Sequence, residues 1–413
     1  MFLLPENFSK KDFCEGCSFL GLYNAESNSC ILCNPGSPNE DEICTSKFIG
    51  KDFKYQKYIG YYLETIDAIS QKYQMRSSSG GLITSLLSNM LEKHEVDYAV
   101  VVGFSPKNNC FEYMKVSSQE QLINTQRSAY YPISLKTGID IINDNEGTCV
   151  ITCIPSVATA IELLKEQNKE LKKKIKYTIG LTYNSTKKRE YTEYLCKKAG
   201  KTDGMANLGY ISYRDKYFDK NSGAFGSFLV KNNNNQSWGL SSREKGFDWS
   251  IGLFQDFSSN FVDDHYAECA DISVMDAWHK NYQSKHNGTS LAVIRNTQIL
   301  NFIKNSTDII QNNIEPKIIL ESQKSGIDFK NIELGIRLKF YKNKYGLDLS
   351  RRPICKYGKN PIRIIKVLLR IWISLQVEKK YQNNQKIEPF IQNYGKLYEL
   401  LHRVDRLCKK INF

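Results

Sequence analysis

Between residues 149 and 182 the sequence leaves the backbone essentially one arrangement. Residues 149–154 read as a buried strand, a helix begun near Ser156 ends in Lys172, Lys173 and Lys174, and residues 176–182 read as a second strand. A strand, a crossover and a strand dictate a parallel pair with a helix packed across it, because a tight turn joins only antiparallel neighbours. Lysines in the last turn suit the negative end of the helix dipole. Upstream, Leu82, Ile83, Leu86, Leu87, Met90 and Leu91 fall at helical spacing, and residues 98–103 read as a short buried strand. Ser118 with Gln121 predicts a capping box for the next helix. Residues 209–213, 272–274 and 290–295 are further strand candidates. The expected fold class is α/β (mixed α+β): a cysteine-rich N-terminal metal unit, a central mixed sheet with flanking helices, and a basic helical C-terminal segment.

Four zones follow along the 413 residues. Residues 1–50 carry five of the twelve cysteines and little periodicity, as expected of a small unit organised by a metal. Residues 51–148 and 149–305 form the two parts of the mixed α/β region, and residues 306–413 are helical and basic. The net charge of +13 is concentrated there, since residues 331–413 hold 19 Lys and Arg against 6 Asp and Glu. No aromatic platform or nucleic-acid reading motif accompanies that surplus, so a nucleic-acid partner is not expected. An acidic partner protein or an anionic lipid surface fits it better. Arg363, Lys366 and Arg370 share one helical face, which reads either as a solvated stripe on a docked helix or as an interfacial contact. At the amino terminus, Pro5 and Glu6 interrupt the apolar start before a signal-peptide core can form, which places the protein in the cytoplasm, with a peripheral position at the inner face of the membrane as the further option. In that reducing compartment clustered cysteines are weighed first as metal ligands.

Cys14-x-x-Cys17 followed by Cys30-x-x-Cys33 offers two thiolate pairs that can close a tetrahedral site. Spacing alone leaves zinc and a 4Fe-4S cluster open, with Cys44 as a substitute ligand. Ser77-Ser78-Ser79-Gly80-Gly81 stands immediately before a predicted helix. Small residues let a phosphate approach the backbone, and free amides at a helix start suit a pyrophosphate. The same serines also read as a plain structural N-cap. Cys153 ends a predicted strand and reads more readily as core than as a nucleophile. The histidines are scattered, and His279 with His286 lacks a third ligand nearby. No phosphate-binding Walker loop, Gly-x-Ser-x-Gly elbow or His-Glu-x-x-His pattern is present.

The order of these pieces resembles the beta subunits of coenzyme F(420) hydrogenases and dehydrogenases, with the related 7-hydroxymethyl chlorophyll a reductases and polysaccharide-cluster iron-sulfur proteins. The resemblance rests on Tyr58-Ile59-Gly60-Tyr61, Ser78-Ser79-Gly80-Gly81, Ser128-Ala129-Tyr130, Thr152-Cys153-Ile154-Pro155-Ser156, Tyr213-Arg214-Asp215-Lys216, the run Ala270-Asp271-Ile272-Ser273 through Asp276-Ala277-Trp278, and Gly288-Thr289-Ser290-Leu291. It implies a divergent member holding FAD, one or more 4Fe-4S clusters, and a redox partner protein or small electron carrier. By the same resemblance Ser78, Ser79, Gly80, Gly81 and Tyr130 hold the flavin, and Cys14, Cys17, Cys30 and Cys33 hold the cluster. Departures are also visible: Ala129 stands where the family has lysine, and Ser258, Ser259, Asn260 and Phe261 occupy the neighbourhood of an expected Cys-x-x-Cys. Two functions are therefore carried forward. One is an oxidoreductase passing electrons through 4Fe-4S and FAD to a small organic acceptor, in polysaccharide biosynthesis if the relatives are of that kind. The other is a non-catalytic scaffold or accessory subunit of the same fold, with a structural zinc or no metal.

Overall fold

The computed structural model describes residues 37–49, 52–218, 226–245, 250–282, 287–346, 351–352 and 360–411. Cys14, Cys17, Cys30 and Cys33, the expected metal ligands, and His286 lie outside these residues. The described strands are β1 (Lys54–Gln56), β2 (Gly60–Tyr62), β3 (Glu64–Ser70), β4 (Tyr98–Ser105), β5 (Cys110–Val116), β6 (Cys149–Cys153), β7 (Ile175–Leu181), β8 (Leu208–Asp215), β9 (Ser227–Asn232), β10 (Ser237–Leu240), β11 (Ile272–Asp276), β12 (Ser290–Ile294) and β13 (Ile309–Asn313). The helices that matter below are α1 (Glu40–Phe48), α2 (Leu82–Glu92), α3 (Leu135–Asn143), α4 (Pro155–Gln167), α5 (Thr297–Lys304), α6 (Leu334–Tyr345), α7 (Pro361–Gln382) and α8 (Glu388–Ile411).

An eight-stranded mixed sheet in the order β13-β3-β12-β11-β7-β6-β4-β5 forms the body. Its centre is parallel, β4 with β6, β6 with β7 and β7 with β11, while both flanks are antiparallel. All five residues of β6 are buried, because a central parallel strand is covered on both faces. Its side chains alternate between two cores. Cys149, Ile151 and Cys153 pack with Leu135 and Ile139 of α3 and with Val157 and Ile161 of α4. Val150 faces the opposite core, with Leu82, Leu86 and Met90 of α2 and Ile299 of α5. Each such leucine or isoleucine contributes about 1.5–3 kcal/mol by leaving water.

The parallel pair expected from the sequence is present, but its crossover is two helices. Asn168 adopts φ −131°, ending α4, and its side chain accepts the amides of Glu170 at 2.9 Å and Leu171 at 3.2 Å to start a short helix at Lys169–Lys174. An asparagine that can bond its own downstream amides competes with helix continuation. Ser118 does cap its helix through the Gln121 amide at 3.3 Å, whereas the Gln121 side chain takes the amide of Ser117 at 2.8 Å instead of closing a reciprocal box.

A second, three-stranded sheet in the order β10-β9-β8 receives the C-terminal helices, with Leu369, Ile373 and Val377 of α7 and Ile391 and Tyr398 of α8 packing on Ile211, Phe228 and Val230. Here the solvated-stripe expectation for α7 is overturned. Arg363 donates to Asp405 at 3.2 Å, and Lys366 reaches Asp405 at 2.8 Å and Glu333 at 2.6 Å. Lys366 is 2% exposed, while Ile365, on another face, is 55% exposed. Periodicity located the basic stripe correctly, but buried carboxylates on neighbouring helices turn it inward. No helix among the described residues is long and apolar enough to cross a membrane.

Candidate functional site

The serine-glycine segment sits where the loop after β3 meets the start of β12 and leads into α2. Gly81, not a serine, is the N-cap of α2, with φ +84° and no side-chain cap bond. The structural N-cap reading of the serines is thereby excluded. Both glycines are demanded by close backbone approach. A Cβ on Gly80 would lie 2.5 Å from the Ala68 carbonyl oxygen and the Ser290 nitrogen, and one on Gly81 2.9 Å from the Gln74 nitrogen. The serine hydroxyls do separate work. Ser78 Oγ accepts the Ser128 amide at 2.9 Å, and Ser79 Oγ donates to the Thr289 carbonyl at 2.8 Å. Ser77 Oγ and Thr289 Oγ1 are buried without a hydrogen-bond partner. Unpaired buried hydroxyls are uncommon and call for an explanation, of which a bound polar ligand is one.

Cations converge on the same place from β8. Lys216 Nζ donates to the carbonyls of Gln74 at 2.7 Å, Ser79 at 2.8 Å and Asn287 at 2.6 Å, stitching the loop to the segment before β12. Burial first, and then the neighbouring Arg214 charge, push its ammonium down to about 7. Arg214 is 6% exposed, pairs with Asp276 at 2.7 Å, and lies 5.6 Å from the Trp278 ring. Although burial opposes its charge, Asp276 and Tyr130 hold it firmly protonated. Asp215 receives Arg127 and the amides of Tyr217 and Phe218, which together outweigh burial and keep its carboxyl low. Arg127 carries φ 96°, a conformation that only a well-held non-glycine residue keeps. Tyr130 packs edge-on against Tyr213 at 5.2 Å, and burial raises its hydroxyl.

Ser78, Ser79, Gly80 and Gly81 and the segment bearing Tyr130 are thus brought together, joined by the Ser78–Ser128 bond. Arg127, Lys216 and Thr289 belong to the same site; sequence reasoning passed over Arg127, and showed Lys216 and Thr289 only within the motifs Tyr213-Arg214-Asp215-Lys216 and Gly288-Thr289-Ser290-Leu291, without a role. The arrangement can receive an anionic group: two unpaired hydroxyls, the start of α2 and the Lys216 ammonium behind it. The unpaired hydroxyls suit the oxygens of a diphosphate such as that of FAD, while Lys216, its three donors engaged by carbonyls, contributes charge only.

Among the described residues the thiols form no such site. Cys153 is 2% exposed, and burial pushes its thiol well up, as for a core residue. Cys44, weighed above as a substitute ligand, lies in the core 3.7 Å from Cys269. Among the described residues no three His, Cys, Asp or Glu side chains are grouped to hold a metal. His279 instead meets Glu321 at 3.0 Å. Around the missing Cys-x-x-Cys, Ser259 Oγ engages the Tyr183 hydroxyl and the Thr186 amide, both at 3.1 Å, and Ser258 bonds Asp256. A hydroxyl network of this kind does not fit a cluster that requires thiolates.

Comparison with known proteins gives a consistent answer. Residues 65–139 match the family described as the amino-terminal part of the coenzyme F(420) hydrogenase/dehydrogenase beta subunit, and residues 147–317 match the family described as its carboxyl-terminal part. Together these matches span more than half of the chain. No curated protein gives a significant sequence match. Among solved structures, a chain of the xenon-derivatised F(420)-reducing [NiFe] hydrogenase complex from Methanosarcina barkeri superposes with a TM-score of 0.54 at 14% identity, covering 72% of this chain and 99% of that one. At that identity the likeness is one of fold.

Proposed function

This chain belongs to the coenzyme F(420) hydrogenase/dehydrogenase beta subunit family, and on that premise we propose that it is a flavin-dependent redox subunit with its flavin diphosphate held at the Ser77–Gly81 loop. The observation that carries this reading is the pair of buried hydroxyls on Ser77 and Thr289, without hydrogen-bond partners, in the two segments that Lys216 ties together through the Gln74, Ser79 and Asn287 carbonyls. In this reading the two hydroxyls and the α2 amides take phosphate oxygens, and Lys216 gains a counter-charge that restores its proton. Arg214, fixed by Asp276 and Tyr130, presents a constant positive charge nearby. When bound, FAD would supply the one- and two-electron chemistry, and the protein its orientation and potential. Electrons would reach it from a redox partner protein or small carrier, through a 4Fe-4S cluster on Cys14, Cys17, Cys30 and Cys33, and leave to a small organic acceptor. A sugar-linked acceptor follows if the nearest functional kin are the polysaccharide-cluster proteins.

A second reading, an accessory subunit without a redox cofactor, is favoured by Ala129 in place of lysine and by the hydroxyl network at Ser258 and Ser259. Anaerobic purification separates the two. Protein that retains or takes up flavin and iron supports the first, and colourless protein that contains only zinc and does not quench added FAD fluorescence removes it.

A further inference from the structure

A cavity lies away from the serine-glycine loop, where residues beyond the family matches close over the body. It has a volume of about 600 Å³ and is walled by Lys188, Gln255, Phe257, Arg337, Tyr341 and Arg370, so α6 and α7 supply one side and the segment before β11 the other. That size is in the range of small-molecule sites.

Its charge is unbalanced. The two carboxylates on its wall are committed, Glu333 to Lys366 at 2.6 Å and Glu378 to Lys188 at 2.7 Å. Arg337, 1% exposed, donates through Nε to the Asn260 carbonyl at 3.2 Å and through Nη2 to that of Phe329 at 2.8 Å, leaving Nη1 without a hydrogen-bond partner. The guanidinium groups of Arg337 and Arg370 approach one ring, Phe329, at 3.9 Å and 4.3 Å. Behind them Lys330, fully buried and also without a hydrogen-bond partner, stands 5.8 Å from that ring. Burial, with Arg370 adding repulsion, depresses Arg337 to about 9, and burial together with the Arg337 charge holds Lys330 well below the ordinary lysine range. Like charges gathered in a low dielectric cost free energy unless an anion joins them. The remaining wall is aromatic: Tyr341 and Tyr345 stack at 6.0 Å, and Phe257 meets Tyr341 edge-on at 5.0 Å.

We propose that this cavity binds a small molecule carrying both a ring and an oxyanion, with its phosphoryl or carboxyl group against Arg337 and Arg370 and its ring along Tyr341 and Tyr345. Arg337 offers its unpaired Nη1 to the oxyanion, and Arg370, whose Nε and Nη2 already donate to the Ser250 carbonyl at 3.0 Å and to Gln255 Oε1 at 2.8 Å, adds a second positive charge beside it, while tyrosine faces accept the apolar face of a sugar or a base. The inference is independent of the flavin reading, because it uses none of the residues at the serine-glycine loop.

Calorimetry on the full chain with glucose 1-phosphate, glucuronate and neutral glucose at matched ionic strength tests it. Binding of at least one anionic probe, with glucose inert, is expected; which anion binds identifies the phosphoryl or the carboxyl source. Arg370→Gln should weaken that binding by about tenfold or more, as loss of a close positive charge does, and Ser77→Ala should leave it intact. Arg337→Gln is expected to act in the same direction, but Arg337 also ties Phe329 and Asn260 together, so the more peripheral Arg370 decides if that variant fails to fold. Glucose binding as well as both anions, or unchanged affinity in Arg370→Gln, overturns the proposal.

Discussion

Lys216 shows how a buried cation can report on a ligand. Three carbonyls match its three donors, yet burial and Arg214 hold it near 7, well below an ordinary lysine. An anion arriving at the loop favours the protonated form, so binding takes up a proton whenever the free protein has lost it. Affinity for FAD or pyrophosphate is therefore highest below pH 7 and weakens by up to about tenfold per pH unit above it. In Lys216→Met the dependence should vanish and affinity fall throughout, which titration by fluorescence quenching between pH 6 and 9 measures; an unchanged slope in the variant contradicts the assignment. Gly80 yields a second expectation, one of stability. A methyl group there meets backbone on both sides at 2.5 Å, so Gly80→Ala should lose about 1–3 kcal/mol in urea denaturation without any flavin present. The serines and glycines were visible in the sequence because small residues before an apolar helix stand out. What each hydroxyl bonds to was not visible, since Ser128, Thr289 and Ser290 lie 50 to 210 positions away.

Elements were easier to read than their partners. The β6, crossover and β7 unit followed from apolar runs and from the handedness of parallel connections, and the local error within it was the break at Asn168. The α2 and α7 helices were likewise marked by spacing. Sequence periodicity assigns residues to a face without saying whether water or a carboxylate waits there, and α7 is the example. Its Arg363 and Lys366 meet Asp405 of α8, which is 1% exposed. Burial opposes the Lys366 charge, but Glu333 and Asp405 more than restore it. Removing one partner from such a buried pair leaves an uncompensated charge, at a cost of about 3–5 kcal/mol. Asp405→Ala should therefore destabilise the protein by that order in thermal or urea unfolding, whereas a truly solvated stripe would give less than about 1 kcal/mol.

Across the whole molecule, the basic surplus of residues 331–413 is partly used in holding the chain together. Arg352 spans three regions, pairing with Asp41 of α1 at 2.9 Å and with Asp263 at 2.6 Å and Glu268 at 3.0 Å in the segment before β11. Fewer cations are left to face an anionic surface than the sequence count suggests. Beneath Arg352 lies Asp264, 1% exposed, its oxygens accepting the amides of Tyr266 at 2.8 Å and Glu268 at 3.0 Å. Burial and the nearby Glu268 charge raise its carboxyl to about 8, despite Arg352. The folded chain keeps that proton while the unfolded chain, with an ordinary value of about 4, releases it. Native protein then holds more protons between about pH 4 and pH 8, so this group's contribution to stability declines as pH rises through the window and levels off above it. Asp264→Asn, which mimics the protonated acid, removes the decline. The stability of Asp264→Asn minus that of the parent should accordingly climb from pH 5 to pH 8 and then flatten, as measured by urea midpoints at constant ionic strength. A difference that stays level across that range would mean that Asp264 is ionised in the folded protein, with Arg352 as its effective counter-charge.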